Sequence, residues 1–171
     1  NVLPDPLQVM AEATGGEELT CVQKTTMLDG SGSSSGPNVN YNWQPAAGVV
    51  SGQGTLMPTV NQPGTYTLTV THNISGCTAT ATVAVSQNIA PPTAMAAAPG
   101  PITCVPGTIT LSGQGSSSGP DFSYLWVGPG IVSGATTLNT CVVNAPGVYT
   151  LTVTNDVNGC TAKATVNVTQ S

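Results

Sequence analysis

Residues 65–71 read Thr-Tyr-Thr-Leu-Thr-Val-Thr, which places Tyr66, Leu68 and Val70 on one parity and Thr65, Thr67, Thr69 and Thr71 on the other. Residues 78–85 repeat the device, with Ala79, Ala81, Val83 and Val85 alternating against Thr78, Thr80 and Thr82. A period of two with one apolar face is the signature of a half-buried β-strand, and threonine suits the outer pleat. The stretches from His72 to Gly76 and from Asp156 to Cys160 read as hairpin turns, with Gly76 and Gly159 free to take positive φ. Pro106-Gly107 marks a further turn, and no segment sustains a helical period. Short strands punctuated by Gly, Pro and Ser predict an all-β, antiparallel sandwich.

The pattern occurs twice. "LDGSGSSSGPNVNYNW" (28–43) returns as "LSGQGSSSGPDFSYLW" (111–126). The same offset carries Cys21 to Cys104, Tyr41 to Tyr124, Trp43 to Trp126, "PGTYTLTVT" to "PGVYTLTVT" and "SGCTATATVAV" to "NGCTAKATVNV". Between them "GVVSG" meets "GIVSG" with one position lost and then regained, as expected where loops absorb length. The repeat predicts two tandem units, 1–88 and 89–171, each of a size that can bury a small core.

Composition narrows the partners. Only 5% of residues are charged, arginine is absent, and lysine occurs only at Lys24 and Lys163, for a net charge of −5. No basic patch exists to hold phosphate, so a nucleic-acid partner is not expected. The dense Val, Leu and Ala alternation argues against disorder, and no apolar run approaches the roughly 18 residues of a membrane span.

Catalytic chemistry finds little to work with. His72 is the sole histidine and its repeat counterpart is Asn155, so it reads as a turn residue rather than a member of a triad or a metal site. The acids Asp5, Glu12, Glu17, Glu18, Asp29, Asp121 and Asp156 are scattered, and the Glu17-Glu18 pair reads as solvated surface. "SGSSSGP" lacks the following Lys-Ser or Lys-Thr of a phosphate cradle and reads as a flexible loop between the second and third strands. Asn73 and Asn167 match the short N-glycosylation pattern, which is common by chance. Lys24 faces Gly107 in the other repeat and Lys163 lies on the threonine face, so neither suits an isopeptide cross-link. The expectation is a non-enzymatic protein without metal or cofactor.

The aromatic positions carry a resemblance. Tyr41-x-Trp43 and Tyr124-x-Trp126 fall where an immunoglobulin-type third strand places its core tryptophan. "PG-x-Tyr-x-Leu" at Tyr66 and Tyr149 resembles the tyrosine corner that opens the sixth strand, with Leu68 and Leu151 where antibody domains place cysteine. Tyr41, Trp43, Tyr66, Tyr124, Trp126 and Tyr149 are therefore expected in the core rather than on a sugar-stacking platform. The order "L-x-G-x-G-SSSGP … Y-x-W … PG-x-YTLTVT … GC-TA-x-ATV-x-V" is similar to the PKD-like, immunoglobulin-like repeats of Bacteroidetes secreted surface adhesins, the gliding-motility adhesins of the type IX pathway included. That resemblance implies two tandem immunoglobulin-like (PKD-like) β-sandwiches in an extracellular filament or adhesin stalk. Ordinary PKD domains carry "W-D-F-G-D-G" after the third strand, whereas "NWQPAAG" and "LWVGPG" lack both acids. A calcium role for that loop is accordingly not expected. The competing function is a carbohydrate-binding accessory module of a secreted hydrolase.

The end of each unit bears on partners. "VAVSQN" runs on into "IAPP", and joining "VNVTQS" to "NVLPDP" would recreate a similar linker. Neighbouring copies of the unit, arranged head to tail, are thus the expected partners. Pro4, Pro6, Pro91 and Pro92 would stiffen such joints. Outward threonines offer neutral surface for lateral packing or for surface glycans.

Five cysteines complete the inventory. Cys21 and Cys77 bracket the same stretch of the repeat as Cys104 and Cys160, and none is spaced as a zinc pair. In an exported chain disulfides are expected. One staple per unit, Cys21–Cys77 and Cys104–Cys160, is one pairing. In the immunoglobulin-like topology, however, Cys21 precedes the second strand at one end and Cys77 follows the turn at the other. With a second strand of about seven residues they would stand roughly 23 Å apart, against the roughly 7 Å a disulfide needs. Cys21–Cys160 between units, with Cys77 and Cys104 facing neighbours, is the alternative, and both pairings stay open. Cys141 maps to Pro58 or Thr59, outside the repeat pattern; it is either a small buried hydrophobe or a cross-link.

Overall fold

A computed structural model describes residues 8–171, and the chain divides into two units, Asn1–Asn88 and Ile89–Ser171. Pro4 and Pro6 lie outside the described residues. The strands of the first unit are β1 (Thr14–Gly15), β2 (Leu19–Thr20), β3 (Thr26–Asp29), β4 (Val39–Gln44), β5 (Val49–Ser51), β6 (Thr59–Val60), β7 (Gly64–His72), β8 (Thr78–Val85) and β9 (Gln87–Asn88). They build an antiparallel sheet β1-β3-β6-β5, a second antiparallel sheet β4-β7-β8, and a parallel pair β2-β9. Reading β1, β3, β4, β5, β6, β7 and β8 as strands A to G gives sheets ABED and CFG, the connectivity of an immunoglobulin constant-type sandwich.

The alternation read from the sequence decides which faces meet. In β7, Tyr66, Leu68 and Val70 are buried while Thr67, Thr69 and Thr71 face outward and half-exposed. They meet Leu28 of β3 and Val60 of β6 in a core that also holds Trp43, Leu19, Val9 and Val85. Thr67, Thr69 and Thr71 pair across the ladder with Thr82, Thr80 and Thr78. The outer face is thus a threonine lattice whose hydroxyls stay wet, while the aliphatic face loses its water.

The second unit repeats the plan with β10 (Ile109–Leu111), β11 (Phe122–Val127), β12 (Ile131–Ser133), β13 (Cys141–Val143), β14 (Gly147–Asn155) and β15 (Thr161–Val168). Its sheets are β10-β13-β12 and β11-β14-β15. Single bridges, antiparallel at Ala97–Ser112 and parallel at Ile102–Gln170, stand where the first unit has β1 and β2. Leu111, Trp126, Val143, Tyr149, Leu151, Val153 and Val168 form its core, the repeat equivalents of Leu28, Trp43, Val60, Tyr66, Leu68, Val70 and Val85. Against that register β12 arrives one position early relative to β5, and β13 is back in step with β6. Both length changes therefore lie in the loops flanking β12.

The serine-rich stretch differs from the flexible loop expected. Ser33 Oγ accepts the Glu12 amide at 2.9 Å and donates to the Glu12 carbonyl at 3.1 Å, and Ser34 Oγ accepts the Met10 amide at 2.9 Å. Ser116 and Ser117 do the same for Met95 and Thr93 in the second unit. The hydroxyls stand in for ladder partners along the lead-in segment of each unit, so its backbone groups are satisfied without a long first strand. Each such bond is worth about 1 kcal/mol net. Gly30 and Gly113 begin this stretch because the core leaves no room for a side chain. A Cβ at Gly30 would stand 2.8 Å from Leu68 Cδ2 and 3.3 Å from Trp43 Cζ2.

Candidate functional site: the cysteine positions

All six aromatics singled out from the sequence pack with the cores. Trp43 and Trp126 are 0% and 1% exposed, and their indole N–H groups donate to the carbonyls of Thr55 and Thr137 at 2.9 and 3.0 Å. Tyr66 and Tyr149 are equally buried, and each hydroxyl donates to the carbonyl four residues upstream, Gln62 at 2.9 Å and Ala145 at 2.6 Å. The Pro129 carbonyl stands against the same Tyr149 hydroxyl and shares its one proton. This is the tyrosine-corner bond, and burial pushes both phenols above their ordinary pKa. Tyr41 and Tyr124 are half-buried and donate to the carbonyls of Ser34 and Ser117, both at 3.1 Å. Both tryptophans are therefore committed to the interior, leaving neither free to stack on a sugar ring.

His72 ends β7. Its Nδ1 lies 3.2 Å from the Ser75 amide and 3.0 Å from Ser75 Oγ, so the ring organises the turn as Asn155 Oδ1 does in accepting the Val157 amide at 3.0 Å. The described acids are dispersed, and among the described residues no three His, Cys, Asp or Glu side chains gather as a metal site. Asp29 accepts the Ser31 amide at 2.8 Å, and hydrogen bonds from Ser31 hold its carboxyl below the usual range. Lys24 and Lys163 are exposed. A groove of about 510 Å³ beside Gly16, Glu17, Gln23 and Thr26 offers one carboxylate, and the Thr26 hydroxyl there is engaged in accepting the Glu17 amide at 2.8 Å.

The cysteines occupy opposite poles of each unit. In the first, β2 runs parallel to β9 with Thr20 opposite Asn88, which sets Cys21 where the chain leaves the unit. Cys77 immediately precedes Thr78, the first residue of β8, and its carbonyl accepts the His72 amide at 2.9 Å. The chain runs extended between these points through β8 and β9, so on the order of 30 Å separates them at ~3.3 Å per residue. The separation comes from this long strand pair; β3, expected at about seven residues, spans only Thr26–Asp29. The second unit matches. Cys104 lies two residues beyond Ile102, which bridges Gln170 in parallel, and Cys160 sits in the turn before Thr161 at the other end of β15. That turn is tied to the start of its unit, because Asn158 Nδ2 donates to the Ala90 carbonyl at 3.0 Å.

Cys21 and Cys160 are disulfide-bonded, whereas Cys77 and Cys104 are exposed thiols. One staple per unit is not the pattern present. Cys141 is fully buried in β13, opposite Leu111, and its thiol is raised by burial. It occupies the place of Pro58, which is also buried. A thiol with no exposed surface cannot reach another chain, so the cross-link expectation for Cys141 gives way to that of a small core residue.

Sequence reasoning missed three groups here. Ser33 and Ser116 lay in a stretch read as loop, Gly30 and Gly113 looked like further loop glycines, and Asn158 carried no signal beyond its turn. The conspicuous identity of the serine-rich repeat was the available clue to the first two.

No protein-family model and no curated protein matches this sequence. Solved structures do match over nearly the whole chain. Three N-terminal domains of the Highly Immunogenic Outer Capsid protein of bacteriophage RB49 align at 13% identity and TM-score 0.39, over 95% of this chain and 59% of that one. The C-terminal 282-residue fragment of intimin, solved with the translocated intimin receptor domain, aligns at 13% and 0.41, over 93% and 63%. S-layer protein SbsC domains 4 and 5 align at 17% and 0.34, over 95% and 99%. The chain thus spans under two thirds of the first and second of these. The immunoglobulin-like assignment rests on the strand order and the tyrosine corner described above.

Proposed function

We propose that this chain is a structural segment of an extracellular bacterial filament or adhesin stalk, of the PKD-like kind borne by Bacteroidetes surface adhesins. In this reading it turns over no substrate and its partners are neighbouring copies of the unit, head to tail. The observation that carries the reading is the state of its cysteines. Of five, Cys77, Cys104 and Cys141 are thiols, while Cys21 and Cys160 are disulfide-bonded. Cys21 stands where the chain leaves the first unit, and within the second unit Cys160 lies in the turn hydrogen-bonded to Ala90. Oxidised cysteines outside the packed cores suit covalent reinforcement of an exported stalk.

Supporting features are chemical. A disulfide persists in an oxidising, extracytoplasmic compartment. A chain with two lysines and no arginine gives trypsin-like proteases almost no site to cut. The threonine lattice on the outer sheet face is neutral and wet, suited to lateral packing or to O-linked sugar. The test is immunogold electron microscopy on intact source cells with antibody raised against the chain. Gold is expected along thin structures outside the cell. Labelling confined to the cell interior would overturn the proposal.

A further inference from the structure

We infer that the outer face of the second unit's β11-β14-β15 sheet pairs with the same face of a second copy. An apolar strip holds the contact, and Lys163 of each copy meets Asp156 of the other. The contact is side to side, beyond the head-to-tail succession proposed above, and it belongs wholly to the second unit. This face departs from its repeat counterpart at the positions that decide what a surface binds. Leu125, Val127 and Val148 point outward and are 48%, 58% and 58% exposed. The first unit carries Asn42, Gln44 and Thr65 at these positions. Lys163 stands where the first unit has Thr80, and Asp121 and Asp156 stand where it has Asn38 and Asn73. The first unit thus presents a neutral, wettable face, and the second an apolar strip flanked by charge of both signs.

Strand register places these groups. Leu125, Thr152 and Lys163 form one row across the sheet, and Val127, Thr150 and Thr165 form the next. Val148 follows on β14, opposite Asn167. At the other end Ser123 Oγ donates to Asp156 Oδ1 at 2.8 Å, and the Asp156 amide donates to the Asp121 carbonyl at 2.8 Å, so both acids sit beside the start of β11. β11 and β15 are the two edges of the sheet, about 10 Å apart at ~4.8 Å per strand. Within one copy the lysine and the acids therefore lie on opposite edges of the face. A twofold axis along β14 brings them together between copies, because it lays β15 of one on β11 of the other. The Lys163 stem then covers Leu125 of the other copy, and its ammonium reaches Asp156 one row further on. Val148, on the axis, meets its own counterpart. The face measures roughly 14 by 20 Å, below the roughly 800 Å² per partner of a standard interface. Pairing is therefore expected at high protein concentration, and it gains from repetition wherever copies are held in a row.

The face is its own complement. It carries its own cation and its own anions, and Lys163 is the only lysine of the second unit, which has no arginine. An acidic partner would meet Asp121 and Asp156, and a sugar would find no aromatic platform, since Trp126 and Tyr149 are committed to the core. Edge-to-edge pairing through β11, the other route open to an apolar edge strand, leaves Lys163 out of the contact.

The test uses the whole chain, residues 1–171, with Cys77 and Cys104 first capped by iodoacetamide so that no new disulfide contributes. Sedimentation velocity over a concentration series reads the association. Wild type is expected to form a dimer as concentration rises toward about 1 mM. K163E and D156K each set like charges face to face and are expected to dimerise at least about tenfold more weakly. Their equimolar mixture should regain wild-type association, because each charge then meets its opposite. L125N/V127Q/V148T, which installs the residues of the first unit, should abolish the dimer. Circular dichroism matching wild type would show that the variants are folded. Carbodiimide coupling of mixed isotope-labelled and unlabelled chains should join Lys163 of one chain to Asp156 or Asp121 of another. Monomer throughout in wild type, or a mixture of K163E and D156K no stronger than its components, would overturn the inference. So would a dimer that K163E leaves intact, the mark of edge-to-edge pairing.

Discussion

Gly30 and Gly113 offer a sharp probe of how each sandwich is packed. Neither needs the left-handed backbone region, so alanine there tests space alone. A Cβ at Gly30 would lie 2.8 Å from Leu68 Cδ2, 3.1 Å from the Leu56 carbonyl oxygen and 3.3 Å from Trp43 Cζ2. Carbon contacts are comfortable at about 3.5–4.0 Å, so Leu68 must retreat by nearly an ångström. Leu68 and Trp43 have no exposed surface to retreat into. At Gly113 the conflict is worse, at 2.5 Å from Leu138 Cδ1 and 2.8 Å from both the Leu138 carbonyl and Leu151 Cδ2. Overpacking of this kind costs about 1–3 kcal/mol. Alanine recovers about 0.4–1 kcal/mol through the unfolded chain. The net expectation is about 1–2 kcal/mol lost for Gly30→Ala and about 2 kcal/mol for Gly113→Ala. Gly54→Ala is the control, because nothing lies within 4 Å of its Cβ position; it should be neutral or slightly stabilising. Chemical denaturation followed by tryptophan fluorescence reads both units, since each holds one buried tryptophan. A Gly30→Ala protein as stable as Gly54→Ala would refute the packing described here.

Replacing Trp43 or Trp126 with alanine should cost that unit about 3–5 kcal/mol, measured by the same denaturation. Alkali should weaken the second unit. The Cys141 thiol and the Tyr149 phenol are both raised by burial in the folded state, so the unfolded chain loses these protons first. Their contribution is intact below the unfolded values, about 8.5 for cysteine and 10 for tyrosine, and falls as pH rises beyond them. Melting temperature should therefore decline steadily above that range, and a flat profile would contradict the burial. A thiol reagent applied to freshly prepared monomer should label Cys77 and Cys104 at once and Cys141 only after denaturation. Rapid native labelling of Cys141 would show that β13 is not packed as described.

Much of the fold was legible because the chain repeats itself. Alternation gave β7, β8, β14 and β15, and the paired Tyr-x-Trp and Tyr-x-Leu signals placed the third and sixth strands. Less legible were the short strands β1, β2 and β9, two residues each, whose pairing is decided by tertiary contact rather than by any local pattern. The serine clamp was hidden for a physical reason. Ser-Gly-Ser-Ser-Ser-Gly is the composition of a flexible linker, and only the backbone of Met10–Glu12 brought alongside turns those hydroxyls into structural bonds. The disulfide question could be posed but not closed from sequence, because it depended on which strand carries the length. That strand proved to be β8 with its continuation β9 rather than β3. Cys141 could be resolved only once the β5–β6 and β12–β13 loops fixed its equivalence to Pro58.

The central claim is that the units are not closed by one staple each, because Cys21 is oxidised while Cys77 is a free thiol. Cyanogen bromide cleavage of the non-reduced monomer at its four methionines decides it. Cys21 leaves in the fragment between Met10 and Met27, Cys77 in the one between Met57 and Met95, and Cys104, Cys141 and Cys160 in the one after Met95. The expected result is the fragment 58–95 released free, with residues 11–27 held in a disulfide to some other fragment. Residues 11–27 found linked to 58–95 would place the bond within the first unit and contradict it.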